Sequence, residues 1–176
     1  KLDIDFDYLP SPIDVQKFSR IGNVKKIENQ VAYVGRDSHE KGIDILKKAE
    51  LQINGDVVYC IDRSWEDAMR VIKSSSVVVV PSRMESLPTV IKEAFYLNVP
   101  VVATNVGGIP ELVVDNETGL LVPSENPEKI AYSVNELLSD TEKAKKLSRN
   151  GNDFVKKNMT WDVIFPKYIQ FYKNLL

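Results

Sequence analysis

The chain has 176 residues, 43% of them hydrophobic and 27% charged, with 23 Lys and Arg against 25 Asp and Glu. That length suits one domain with a proper core, and the composition excludes a disordered tail or a collagen-like fibre. A net charge of −2 offers no broad basic field for nucleic acid, and no apolar run approaches the ~20 residues that span a bilayer.

A single cysteine, Cys60, can build neither an internal disulfide nor a zinc site, which points to a cytoplasmic setting. The chain opens at Lys1 without an initiator Met, an apolar signal segment or an Arg-rich transit pattern, so a piece of a longer polypeptide is expected. Residues 1–29 read as a lead-in: an extended Asp5-Phe6-Asp7-Tyr8 segment, a Pro10-Ser11-Pro12 turn, then loop. Asp3, Asp5 and Asp7 alternate as on one face of a strand. With no nucleotide-binding strand before them they read as a polar edge rather than a metal-binding D-x-D.

Over residues 30–123 short apolar runs alternate with stretches of helical period. Strands are expected at 31–34, 57–61, 77–80, 99–103 and 119–122, and helices at 41–53, 65–73, 88–97 and, briefly, 110–113. This is an α/β pattern: a Rossmann-like parallel sheet of about five strands, helices on both faces, right-handed crossovers. Residues 124–176 read as helices alone. Asn126 caps the first ahead of Pro127, Asp140 the second and Thr160 the third, with Pro166 expected to kink the last. That last helix gathers Trp161, Phe165, Tyr168, Phe171 and Tyr172, which need something to cover them; the lysines at 143, 145, 146, 156 and 157 form a solvated face.

Ligands of an open parallel sheet bind beyond the carboxyl ends of its strands, so the loops there are the places to search. After the first strand comes Gly35-Arg36-Asp37-Ser38-His39-Glu40-Lys41-Gly42, where Gly35 permits a close turn and Arg36 and Lys41 bring a fork and a point charge suited to a diphosphate. A plain turn with solvated ends has the same spacing. Neither G-x-x-x-x-G-K-[ST] nor G-x-G-x-x-G occurs in the chain. After the third strand, Pro88 opens a helix, so free amides around Leu87, Thr89 and Val90 point with the helix dipole into the crevice. Glu85 precedes that helix and Glu93 lies about two turns along it; both carboxylates can hold ligand hydroxyls, or serve as ordinary helix acids. After the fourth strand, Gly107 and Gly108 permit close approach to a ligand or form a tight turn.

Taken together the run G-R-x-x-x-x-K-G, then P-S-x-x-E-S-L-P-T-V-I-K-E-A, then V-P-V-V-A-T-N-V-G-G-I-P-E and T-G-L-L-V resembles the C-terminal, donor-binding domain of GT-B-fold retaining glycosyltransferases, the glycosyl transferases group 1. The resemblance runs from about Val31 to the C-terminus, and the E-x7-E spacing of Glu85 and Glu93 is its most telling element. It implies that Arg36 and Lys41 grip the donor diphosphate and stabilise the departing nucleotide, helped by Gly35 and by amides near Ser86, Leu87 and Thr89. It further implies that Glu93 holds the ribose, Glu85 the transferred sugar, and that Gly107 and Gly108 lie against sugar or phosphate. Glu85, Arg36 and Lys41 are then the catalytic set. No metal or other cofactor is expected, and the partners are a nucleotide sugar and an absent N-terminal acceptor domain, without which the chain should not turn over. The location is cytoplasmic, with the inner membrane face open to it because many relatives glycosylate lipids.

Two departures from the family pattern stand out. The interval 43–80 holds one strand and one helix after the first helix, where the family carries a further strand-helix unit that helps form the base pocket; Tyr59 to Trp65 is the substitute edge. Asn98 stands at a helix C-cap where the family has glycine, and Asn also adopts the left-handed conformation. The last helix of the family packs on the acceptor half, so an isolated domain should expose it or self-associate through it. Two rival readings are a noncatalytic module that has lost donor binding and a GT-B-like sugar-nucleotide epimerase. Asp37-Ser38-His39 contains triad residue types, but consecutive side chains diverge. Cys60, with no base near it in sequence, reads as core or pocket lining.

Overall fold

The computed structural model describes residues 9–174, so the expected lead-in strand at 5–8 and the alternating Asp3, Asp5 and Asp7 lie outside the described residues. Five strands form one parallel sheet: β1 (Gln30–Gly35), β2 (Asp56–Ile61), β3 (Val77–Val80), β4 (Val101–Thr104) and β5 (Leu120–Val122). Their order is β2-β1-β3-β4-β5, and every pairing is parallel. The chain leaves β1 in one direction to make β2, then returns past β1 to β3, so a crevice must open between the carboxyl ends of β1 and β3.

Period-two alternation divides the strands between two cores. Ala32, Val78, Val80, Val101 and Ala103 face one layer, where α2 (Trp65–Ser74) and α3 (Thr89–Tyr96) pack. Val31, Tyr33, Val77, Val79, Val102, Leu120 and Val122 face the other, under α1 (Ile43–Glu50) and α4 (Pro127–Ser139). The four valines of β3 are all buried because the strand is central and covered on both faces; each contributes about 1.5–3 kcal/mol of apolar burial.

The α5 helix (Thr141–Asn158) joins the layers, with Leu147 in one core and Val155 in the other. Gly151 of α5 lets Phe95 come so close that a Cβ there would sit 2.6 Å from the ring. The next residue, Asn152, donates to the Phe95 and Tyr96 carbonyls at 3.1 and 2.7 Å, closing the C-terminal end of α3. Asn98 just beyond has φ +56°, the left-handed conformation expected of it.

Three local differences from the sequence reading have physical causes. The expected helix at 41–53 is two pieces, a 3-10 turn His39–Lys41 and α1, because Gly42 takes φ +64° and a Cβ there would strike the Pro81 carbonyl. The short helix at 110–113 is a 3-10 turn, Ile109–Glu111. The expected loop before Ile21 contains a 3-10 helix, Val15–Ile21, capped by the Asp14 carboxylate and held by Phe18 packing on Trp65 and Tyr96. The last helix, α6 (Trp161–Asn174), runs through Pro166 and buries only Ile164 fully, leaving Trp161, Phe165, Ile169 and Tyr172 exposed. Among the described residues no helix is long and apolar enough to cross a membrane.

Candidate functional site

The crevice at the β1/β3 switch has a volume of about 400 Å³. Its floor is the ends of the two strands, with Tyr33, Val79 and Val80; its walls are the turn Gly35-Arg36 with Lys41, the segment Ser82 to Val90, and the β2–α2 connection with Cys60, Asp62 and Arg63. Gly35, Arg36, Lys41, Glu85 and Thr89 therefore meet in one place, brought there by the loops after β1 and β3, whereas the loop after β4, expected to join them, does not line the crevice.

At one end Lys41 and Glu85 form an ion pair at 2.6 Å, and the Ser82 hydroxyl donates to the same carboxylate oxygen at 3.0 Å. The Glu85 side chain is only 8% exposed, so these two donors hold a nearly buried carboxylate in one orientation. The resemblance gives the two partners different parts of a donor. An ammonium has three donors, so Lys41 keeps two for a ligand while holding Glu85.

In the middle stands Arg36, exposed, its guanidinium making no hydrogen bond or ion pair among the described residues. Its carbonyl accepts from the Tyr33 hydroxyl at 2.6 Å, which fixes the turn from below. Burial, reinforced by the charges of Asp37, Glu85 and Asp62, pushes the Tyr33 phenol up to about 12, so it remains a neutral donor. Opposite lies the start of α3, with Pro88 as its cap residue and no side-chain cap. The amides of Thr89 and Val90 find no acceptor among the described residues and add the positive end of a helix dipole.

A second guanidinium builds the loops without facing the crevice. Arg83 forks onto Asp44 at 2.6 and 2.8 Å, donates to the His39 carbonyl at 2.7 Å and also grips Glu125. It thereby ties together the loops after β1, β3 and β5. The side-chain hydrogen bond from Arg83 holds the Asp44 carboxyl down at about 2.

The remaining expected residues lie elsewhere. Ser86 is exposed, and Leu87 packs against the core below α2 and α3. Gly107, at φ +52°, and Gly108 do not line the crevice: a Cβ on either would strike the carbonyl of Glu85 or Ser86, and the Gly108 amide donates to the Glu85 carbonyl at 3.3 Å. The close approach read from the paired glycines is real, and backbone fills it. Glu93 lines a neighbouring cavity of about 280 Å³ that shares Thr89 with the crevice and is walled by Asp14, Lys17, Phe18, Trp65 and Trp161. There it accepts from the Trp65 indole at 2.8 Å, and burial pushes its carboxyl above the ordinary range.

Sequence reasoning missed Arg83, Ser82, Tyr33 and Lys92. Lys92 is fully buried on α3, its ammonium donating to the Ser11 carbonyl and hydroxyl at 2.7 and 3.0 Å, and burial lowers its affinity for the proton. For Tyr33 a signal existed, since period two along β1 turns it to the same side as Val31. For Ser82 the S-x-x-E spacing to Glu85 was a local signal as well, whereas the partners of Arg83 and Lys92 are 39 to 81 residues away and no local pattern reports them.

The structure is a doubly wound sheet whose switch-point crevice gathers an unpaired guanidinium, free helix amides and a fixed carboxylate, at the place where open α/β sheets bind ligands. Residues 48–154, more than half the chain, match the family described as glycosyl transferases group 1, and the chain belongs to that family. It is 36% identical over 100 residues to an uncharacterized glycosyltransferase of Methanocaldococcus jannaschii, covering 57% of this chain and 28% of that one. It is 37% identical over 91 residues to the GDP-mannose-dependent alpha-(1-6)-phosphatidylinositol monomannoside mannosyltransferase of Mycobacterium tuberculosis, covering 52% of this chain and 24% of that one. Among solved structures it superposes on sucrose-phosphate synthase from Thermosynechococcus elongatus with TM-score 0.82 and 25% identity, over 95% of this chain and 52% of that chain. The fold is thus one Rossmann-like half of a GT-B enzyme, and the chain spans about half or less of the length of these proteins.

Proposed function

We propose that this chain is the donor-binding domain of a glycosyltransferase that moves a sugar from a nucleotide diphosphate sugar to an acceptor with retention of configuration. The observation that carries the reading is the convergence, in one crevice, of the unpaired Arg36 guanidinium, the free Thr89 and Val90 amides and the Glu85 carboxylate fixed by Lys41 and Ser82. Departure of a nucleoside diphosphate builds negative charge on the phosphate oxygens. Preorganised donors aimed at that charge, Arg36, Lys41 and the amides of α3, lower the barrier without reorganising. Glu85 at the closed end has acceptors to offer the hydroxyls of the transferred sugar. The GDP-mannose dependence of the mycobacterial relative supports a nucleotide-sugar donor. No metal enters this reading, and the single Cys60 suits a cytoplasmic setting.

Glu93 and its cavity, bonded to Trp65, take the ribose only if the indole yields its place, which makes Glu93 the least direct of the assigned contacts. Acceptor binding belongs to the half that this chain does not contain, so turnover requires the longer protein. The exposed aromatic stripe of α6 is the surface that meets that half, or a second copy when it is absent.

Calorimetric titration of the chain with UDP, GDP, ADP and their sugar conjugates tests the reading. Saturable binding, weakened about tenfold or more in Arg36→Ala as loss of a charge-assisted contact requires, is the expected result. Folded protein that binds none of them would overturn it in favour of a noncatalytic module.

A further inference from the structure

We infer that Tyr33 is a positioning residue of the crevice: its phenol holds the peptide of Arg36, so that the guanidinium meets a diphosphate from a fixed base. This rests on the donor-site reading above. The two cations of the loop after β1 are held in opposite ways. Lys41 belongs to a stretch locked onto the loop after β3: the Glu40 carbonyl accepts from the Arg83 and Met84 amides at 2.7 and 3.3 Å, the His39 carbonyl accepts from the Arg83 guanidinium, and the Lys41 ammonium is paired with Glu85. Arg36 stands upstream of that lock. Its guanidinium is free of hydrogen bonds and ion pairs among the described residues, and the backbone of Arg36 and Asp37 has one hydrogen-bond partner there, the Tyr33 hydroxyl, which donates to the Arg36 carbonyl at 2.6 Å.

The phenol is itself held rigidly. Tyr33 is 2% exposed, packed in the core under α1, with the Tyr59 ring 6.0 Å from its own and the Tyr59 hydroxyl donating to Glu50 of α1 at 2.6 Å. From that seat the hydroxyl reaches the crevice floor beneath Gly35, where a Cβ would come within 3.2 Å of the phenol oxygen, so glycine leaves the tyrosine its room. The bond ties the part of the loop that the β3 segment does not hold to the core of the domain.

The consequence for binding follows from entropy. An arginine loses side-chain freedom when it forks onto a phosphate, and the loss is smaller when its Cα and peptide plane are already fixed. Phenylalanine at position 33 keeps the ring, its packing and the strand, and removes only the oxygen that fixes the carbonyl. The turn then moves together with the guanidinium, and affinity for the diphosphate falls although no group assigned to the diphosphate has been altered.

The test is a double-mutant cycle read by calorimetry: pyrophosphate, UDP, GDP and ADP on the parent chain, Tyr33→Phe, Arg36→Ala and the double variant, with urea midpoints measured alongside. Tyr33→Phe is expected to weaken binding about three- to tenfold in the parent, the worth of one hydrogen bond, and by no more than about twofold in Arg36→Ala, where no guanidinium remains to be oriented. Any stability lost with the hydroxyl appears in the urea midpoint of both backgrounds alike, so the coupling in affinity separates positioning from support of the fold. An equal loss of affinity in both backgrounds, the mark of a phenol that touches the phosphate itself or only supports the fold, overturns the inference, and so does no loss in the parent; either result leaves the donor site standing. A parent chain that binds neither pyrophosphate nor any nucleotide overturns both.

Discussion

Glu93 is a partly buried carboxyl whose place is set by its packing neighbours. Its carboxyl lies in a cavity between the 3-10 helix Val15–Ile21, α2 and α3, bonded to the Trp65 indole, and burial raises its proton affinity against the opposing effects of that bond, Lys92 and Lys17. A carboxyl whose folded pKa exceeds its unfolded value of 4.5 contributes stability that is fully present below that value and lost as pH rises through the folded one. Glu93→Gln cannot ionise yet still accepts from the indole. Its stability relative to the parent should therefore climb between pH 4 and 7, read as a rising difference in urea midpoints; a difference that stays flat would count against a buried, costly carboxylate. Gly107 and Gly108 act at the same scale but for a different reason, since the space a side chain would need holds the Glu85 and Ser86 carbonyls. By seating that backbone they place the Glu85 carboxylate at the end of the crevice without lining it themselves.

Among the elements, the loops do the positioning and Arg83 organises them. One guanidinium joins the turn after β1, the start of α1 and the segment after β5 to the loop that carries Glu85. The Asp44 carboxyl, held at about 2 against 3.8, contributes stability present above the higher value and lost as pH falls toward the lower. Because Asp44 is about half exposed, solvent screening limits the pair to about 1 kcal/mol at most, a shift of about 2–4 °C in Tm for a chain of this size. Arg83→Lys should lower Tm by that amount and remove the acid sensitivity, because an ammonium cannot fork onto a carboxylate and reach a carbonyl together. Thermal scans at pH 3 and pH 7 decide it; equal Tm in the two proteins at both would mean that the loops hold without the fork. The α3 helix needs no such clamp, since Asn152 closes its carboxyl end and leaves its amino end facing the crevice.

At the scale of the molecule, four large apolar side chains of α6, Trp161, Phe165, Ile169 and Tyr172, recur every three or four residues along one exposed stripe. A chain presented without the remainder of its relatives' length should self-associate through this stripe. Sedimentation velocity over a concentration series is expected to show a species heavier than 19.9 kDa that Phe165→Glu with Ile169→Glu returns to monomer. A parent chain that remains monomeric at the highest concentrations would overturn self-association through the stripe.

Residue order alone determined the alternation of strand and helix, the two-faced burial of the strands and the loops after β1 and β3 that line the crevice, because period, capping and turn chemistry act over a few residues. Asn126 and Asp140 cap their helices as local hydrogen bonding dictates. Tertiary structure decided the rest, because these contacts exist only once distant segments meet: Lys41 on Glu85 across 44 residues, Trp65 on Glu93 across 28, Lys92 on Ser11 across 81. It also decided that the two glutamates of the E-x7-E spacing part company. Glu85 enters the crevice from a loop pinned by Gly107 and Gly108, whereas Glu93, two helical turns on, faces a cavity made by the segment before β1.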